Sequence, residues 1–166
     1  FISGGSGIMG LSNLTLDQIS YLVKSVEKLS VIADIVIVDT GAGISDSVME
    51  FVASSPEILL VTTPEPSSLT DAYSLLKMLY RNPKYDKNES VIHVLTNRVA
   101  SFGEGKMVFD KLESVVKQFL DGSVHYIGII PQDAMLEKAV RIQKPVSIVS
   151  PRSLSTQLSS ISAFKV

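Results

Sequence analysis

Short runs of β-branched and aliphatic residues alternate along the chain with longer stretches of helical periodicity. This alternation constrains the fold more than any other feature. The apolar runs are Asp34–Asp39 (DIVIVD), Ile58–Val61, Val91–Leu95 and Tyr126–Ile130. Continuous runs of this kind are expected of strands buried on both faces. Leu16, Ile19, Leu22, Val23, Val26 and Leu29 recur at helical spacing behind a Thr15…Gln18 capping box. Leu69, Ala72, Tyr73, Leu76 and Leu79 repeat the pattern, which Asn82-Pro83 closes. A third stripe, Val108, Phe109, Leu112, Val115, Val116 and Phe119, stops at Asp121-Gly122. Another helix is expected after Asp133 and a last one from Pro151. This order implies a three-layer α/β unit, a mostly parallel sheet with helices on both faces. No repeat or linker divides it, so residues 1–166 are read as a single domain.

Composition removes several classes of function. A charge of −2 offers no general attraction for nucleic acid, so no nucleic-acid partner is expected. With no cysteine there is no disulfide, thiolate nucleophile or Cys-ligated metal, a pattern that suits a cytoplasmic protein. The apolar runs are far shorter than the ~20 residues of a membrane span.

Parallel sheets bind ligands at the carboxyl ends of their strands. The segments to inspect are therefore Asp39–Gly43, Thr62–Pro66, Thr96–Arg98 and Pro131–Asp133. Asp39 ends a buried run and is followed by the Gly-rich turn Thr40-Gly41-Ala42-Gly43. A carboxylate there suits the waters around Mg²⁺, and the turn suits sensing of a γ-phosphate. A capping role for Asp39 is an equally good reading. Ser67 or Ser68 is expected to cap a helix with Asp71 in its first turn, a structural reading preferred over ribose or partner contact for Glu65 and Asp71. Asn97 and Arg98 offer donors and an acceptor to a base edge, or else form a turn.

Two glycine-rich segments are set aside. Gly5–Gly10 fits G-x-G-x-x-G, but neither a full strand before it nor a helix directly after it accompanies the motif. Gly103-Glu104-Gly105-Lys106 has the wrong P-loop spacing, with Met107 in place of the Mg²⁺-binding Ser/Thr, and reads as a loop opening a helix. His93 and His125 lack metal-ligand spacing. Leu154, Leu158 and Ile161 mark one face of a final helix, with Arg152 and Lys165 as its cations. That face is too sparse in charge for a typical membrane-surface helix and is expected to pack on the sheet.

GGSGI at Gly4–Ile8, DIVIVDTGAG at Asp34–Gly43, TTPEPSSLTDAYSLLK at Thr62–Lys77, TNR at Thr96–Arg98 and YIGIIPQDAMLEKAVRIQKPV at Tyr126–Val146 together resemble the MinD/ParA group of deviant P-loop ATPases. The match runs from about Gly4 to Ser153, and TTPEP-S-LTDAY after DTGAG is most similar to the flagellar number- and site-determining branch.

The resemblance implies a P-loop NTPase-like fold. The parent protein would bind ATP/ADP and Mg²⁺ and control flagellar number and placement through ATP-dependent dimerisation. Asp39 would lie near Mg²⁺, acting through water, and Thr40, Gly41 and Gly43 would follow the γ-phosphate. Glu65 would approach the ribose across the dimer, and Asp71 would sit on the dimer or partner face. Asn97, Arg98, Pro131 and Asp133 would surround the adenine. The implied partners are a second copy, a flagellar SRP-type GTPase, basal-body switch proteins and the inner face of the cell membrane, which the parent would touch peripherally.

The family's first strand and its lysine-bearing P-loop would precede Gly4 and do not occur in this sequence. The chain is accordingly expected to be the C-terminal two-thirds of such a domain. Alone, it is expected to bind no nucleotide tightly, to be inactive, and to self-associate through an unpaired strand edge. The alternatives are a division-site or chromosome-partitioning ATPase of the same family, or a non-enzymatic α/β interaction module.

Overall fold

The computed structural model describes residues 15–163. Gly4–Ile8, the Gly5–Gly10 motif and Lys165 lie outside them, as does the side chain of Ile161. The helix α1 (Leu16–Glu27) opens with the expected box, in which Thr15 Oγ1 accepts from the Gln18 N–H and Gln18 returns the bond to the Thr15 N–H. A 3₁₀ turn, Lys28–Val31, follows, and then α2 (Asp46–Ala53), capped by Ser45. The core alternates β1 (Glu57–Thr62), α3 (Pro66–Leu79), β2 (Val91–Val99), α4 (Phe102–Leu120) and β3 (His125–Pro131). Helices α5 (Ala134–Arg141), α6 (Val146–Val149) and α7 (Leu154–Ala163) complete it.

Among the described residues the strands form one three-stranded, fully parallel sheet in the order β1-β2-β3. The α/β reading therefore holds. Ile58 and Leu60 of β1 and Ile92 and Val94 of β2 point at Leu76 and Leu79 of α3 and at Phe109, Leu112 and Val116 of α4. Leu76, Leu79, Val94 and Val116 are completely buried. Burying each such side chain contributes roughly 1.5–3 kcal/mol.

The expected strand Asp34–Asp39 is not a strand. Ile35 and Ile37 are 80% and 86% exposed, and the segment has no ladder partner among the described residues. A strand exists only by hydrogen-bonding to a neighbour. Here β1 pairs with β2 alone, and among the described residues no strand pairs with 34–39. The β1 edge is open for the same reason, and on the face away from α3 and α4 Leu59 and Val61 are 58% and 49% exposed.

Other boundaries shift. Gly103-Glu104-Gly105-Lys106 lies inside α4, not in a loop. Ser101 caps the helix by accepting from the Glu104 N–H, while the Glu104 carboxylate accepts from the Ala100 N–H at 2.6 Å. Gly105 then lets α4 meet the sheet, since a Cβ there would stand 2.4 Å from Ile129 Cγ2 and 2.6 Å from Thr96 Oγ1. The last helix starts at Leu154 rather than Pro151. It turns small side chains inward, with Ser155 fully buried and Leu154 exposed, because serine permits the close approach to β3 that leucine would block. Helices α2 and α6, eight and four residues long, are too short for periodicity to reveal.

Candidate functional site

The carboxyl ends of β1, β2 and β3 converge at one end of the sheet. After β1, Thr63-Pro64-Glu65 leads into α3 with Pro66 in the first turn, where its missing N–H costs nothing. Glu65 occupies the cap position without a side-chain bond. Neither Ser67 nor Ser68 is the cap; the Ser68 hydroxyl instead meets Thr62 Oγ1 at 3.0 Å and accepts from the Thr63 N–H at 3.0 Å. Asp71 lies past the first turn of α3 and is exposed.

Asn97 and Arg98 lie within β2 rather than after it, at an irregularity where the register with β3 shifts between Asn97 and Val99. Asn97 pairs with Ile130, and Val99 with Pro131. Arg98 is left-handed at φ 57°, a conformation costly for a residue bearing a Cβ, and its N–H donates to Asn97 Oδ1 at 2.8 Å. Its guanidinium reaches back to Glu65, with Nη1 3.9 Å from Oε1. Backbone strain of this kind concentrates at ligand clamps.

Asp133 caps α5 through the Met135 N–H at 2.8 Å and binds Ser155 of α7 through its other carboxylate oxygen. The Ser155 hydroxyl first, then the Met135 N–H, hold the Asp133 carboxyl below the usual carboxylate range. Both oxygens are thus committed to organising the chain. Exposed Arg98 and Glu65, with half-buried Asn97 and buried Pro131 beside them, form a rim at the strand ends, and Asp133 fixes the backbone next to Pro131.

Asp39, Thr40, Gly41 and Gly43 stand apart. All are exposed, Gly43 adopts φ 110°, and among the described residues no hydrogen bond or ion pair ties them to the rim. At the opposite end of the sheet His93 Nε2 lies 2.5 Å from Glu57 Oε2, while its Nδ1 is buried without a partner. His125 lies 6.2 Å away, ring to ring. No group of three His, Asp or Glu side chains among the described residues is arranged for a metal.

Sequence reasoning missed Ser155 and the contacts by which Thr62, Thr96 and Ser68, the last expected only as a cap, brace the strand ends. Thr62, Thr96 and Ser155 are buried, and a hydroxyl next to a strand end is the only local hint of such a role.

No family model matches the chain. It is 40% identical over 152 residues to the antiactivator FleN of Pseudomonas aeruginosa, covering 92% of this chain and 53% of that protein. It is 34% identical over 125 residues to the flagellum site-determining protein YlxH of Helicobacter pylori, covering 75% and 40%. The chain thus spans about half the length of the curated relatives it matches. Among solved structures, the cell division ATPase MinD of Pyrococcus furiosus superposes with a TM-score of 0.68 at 21% identity, over 89% of this chain and 57% of that one. MinD of Pyrococcus horikoshii, complexed with Mg-ADP, gives 0.67 at 20% identity over 93% and 58%. The parallel sheet and these likenesses agree: over most of its length the chain is homologous to the flagellar proteins FleN and YlxH, and its fold is that of the MinD/ParA-type P-loop NTPases.

Proposed function

We propose that the chain is the base-binding and partner-facing portion of a MinD-like ATPase switch that regulates flagellar number and placement. The observation that carries this reading is identity of 40% and 34% to FleN and YlxH across most of the chain. In this reading the rim of Asn97, Arg98 and Pro131 receives adenine, and Glu65 approaches the ribose. Asp133 holds the neighbouring backbone and Asp71 faces a partner. ATP-dependent dimerisation, peripheral attachment to the cytoplasmic face of the membrane, and contact with a flagellar SRP-type GTPase and basal-body switch proteins belong to the same proposal. No helix among the described residues is long and apolar enough to cross a membrane.

The residues fit the two ends of Mg-ATP unequally. The rim offers an amide and a guanidinium at a strand end, which suits a base. For Mg²⁺ and the phosphates the described residues supply Asp39 as a lone exposed carboxylate, the Thr40–Gly43 turn beside it, and no lysine-bearing glycine loop at a helix start. They do not fit that half, and no hydrolytic step is derived through it.

Deleting the gene that encodes the chain and counting flagella by electron microscopy tests the proposal. Cells with altered flagellar number or position are expected. Unchanged flagellation overturns it.

A further inference from the structure

The backbone from Pro131 to Asp133 turns the chain from the end of β3 into α5, and few bonds fix it. On the β2 side the Gln132 N–H donates to the Val99 carbonyl at 2.9 Å. Val99 directly follows the left-handed Arg98, so this bond joins the turn to the irregular strand end that carries Asn97. On the other side the turn is held through the Asp133 carboxylate. One oxygen accepts from the Met135 N–H at 2.8 Å, a bond inside the same segment that travels with it. The other accepts from the Ser155 N–H at 3.2 Å and from the Ser155 hydroxyl at 2.8 Å, and Ser155 belongs to α7.

Ser155 is completely buried where α7 packs on β3. Its N–H is one of the donors that a helix start leaves without an intrahelical partner, and a carboxylate there also favours the helix dipole. That explains the backbone bond. The hydroxyl does something more, since it adds a second, charge-assisted bond to the same oxygen from a side chain that packing has locked. Among the described residues no other side chain bonds to Asp133.

We propose that Ser155 is a positioning residue of the base site. Through Asp133 it sets the 131–133 backbone relative to Asn97, and so fixes the width of the slot that a purine base enters. The inference rests on the reading of the strand-end rim as the base site. A base is a rigid plane that meets Asn97 from β2 and the turn from β3 at once. Its affinity therefore depends on the separation of the two, because hydrogen bonds weaken steeply with misalignment. Without the Ser155 hydroxyl Asp133 still caps α5, but α5 and the turn can move as one piece about the Gln132–Val99 bond. Helix α7 is thus part of the site without touching the ligand.

Titration of the chain with adenosine and with inosine, followed by amide NMR, tests this. The unaltered chain is expected to shift at 97–99 and 131–133 and to prefer adenosine. Ser155→Ala removes the hydroxyl and keeps the N–H. It is expected to bind adenosine about fivefold more weakly, the usual worth of one hydrogen bond, and to narrow the preference over inosine. Ser159→Ala alters the same helix at a hydroxyl that donates to the Ser155 carbonyl, and is expected to bind like the unaltered chain. Should Ser155→Ala not fold, Asp133→Asn carries the test with the same expected loss, because its single oxygen cannot serve Met135 and Ser155 together. Unchanged adenosine affinity in Ser155→Ala beside a lowered urea midpoint would make Ser155 structural only, overturning the inference and leaving the base site intact. Equal weakening by Ser159→Ala would overturn it in favour of a general loosening of α7. No adenosine-dependent shift at 97–99 or 131–133 in the unaltered chain would overturn the reading of the rim itself, and this inference with it.

Discussion

Asp133 accepts two hydrogen bonds from Ser155, one from the backbone N–H at 3.2 Å and one from the hydroxyl at 2.8 Å. With the bond from Met135, the same carboxylate starts α5 and anchors α7. Its folded-state pKa is depressed, so the stabilisation is fully present above the unfolded value of about 3.9 and is lost as pH falls through the lower folded value. Asp133→Asn keeps a capping side chain but removes the charge. Urea midpoints at pH 6 and pH 3 are expected to fall less for the variant than for the unaltered chain. Equal falls would remove Asp133 from the acid response.

Gly105 is the point where α4 touches the sheet. A methyl group there meets Ile129, Thr96 and the Tyr126 hydroxyl at 3.0 Å or less. Overpacking costs about 1–3 kcal/mol, against a helix-propensity gain of about 1 kcal/mol for Ala over Gly. Gly105→Ala is therefore expected to lower the urea midpoint, and Gly105→Val to lower it further. A stabilised Gly105→Ala chain would show that α4 shifts freely.

Arg98 holds a left-handed backbone that glycine adopts without strain. Arg98→Gly is expected to stabilise the chain by about 1 kcal/mol, since its exposed pair with Glu65 contributes little. Equilibrium unfolding measures this. Destabilisation would mean that the guanidinium has a structural role.

If the rim holds the base and nothing described holds the phosphates, adenosine and ATP should bind this chain alike and weakly. Amide NMR shifts at millimolar ligand are expected at 97–99 and 131–133, absent in Asn97→Ala, and none at 39–43. Micromolar ATP affinity with adenosine inert would reverse the assignment.

The open β1 edge and the bare 35–38 segment present unpaired backbone and apolar side chains. The chain is expected to self-associate in light scattering at high concentration. Val61→Lys and Ile37→Lys should each shift it toward monomer, with stability changes within about 0.5 kcal/mol for such exposed sites. A concentrated unaltered chain that remains monomeric would refute this.

The sequence made legible what depends on local pattern. The runs at 58–61, 91–95 and 126–130 are strands, and Val108, Phe109, Leu112 and Val116 do form the buried stripe of α4. Asp34–Asp39 has the same composition but no neighbour, and composition cannot report pairing. The rim was legible as strand ends, yet its supports were not. Ser155 reaches Asp133 from 22 residues away, and Ser68 serves Thr62 and Thr63 rather than its own helix start. Such contacts follow from packing of distant elements, which periodicity does not encode.

The Ser68 bond has a mechanical meaning. By gripping both the end of β1 and the first residue after it, this hydroxyl makes Thr63–Glu65 and the first turns of α3 one stiff piece. Glu65, Leu69 and Tyr73 then follow one another at four-residue spacing, so the end of β1 continues directly into one stripe of α3.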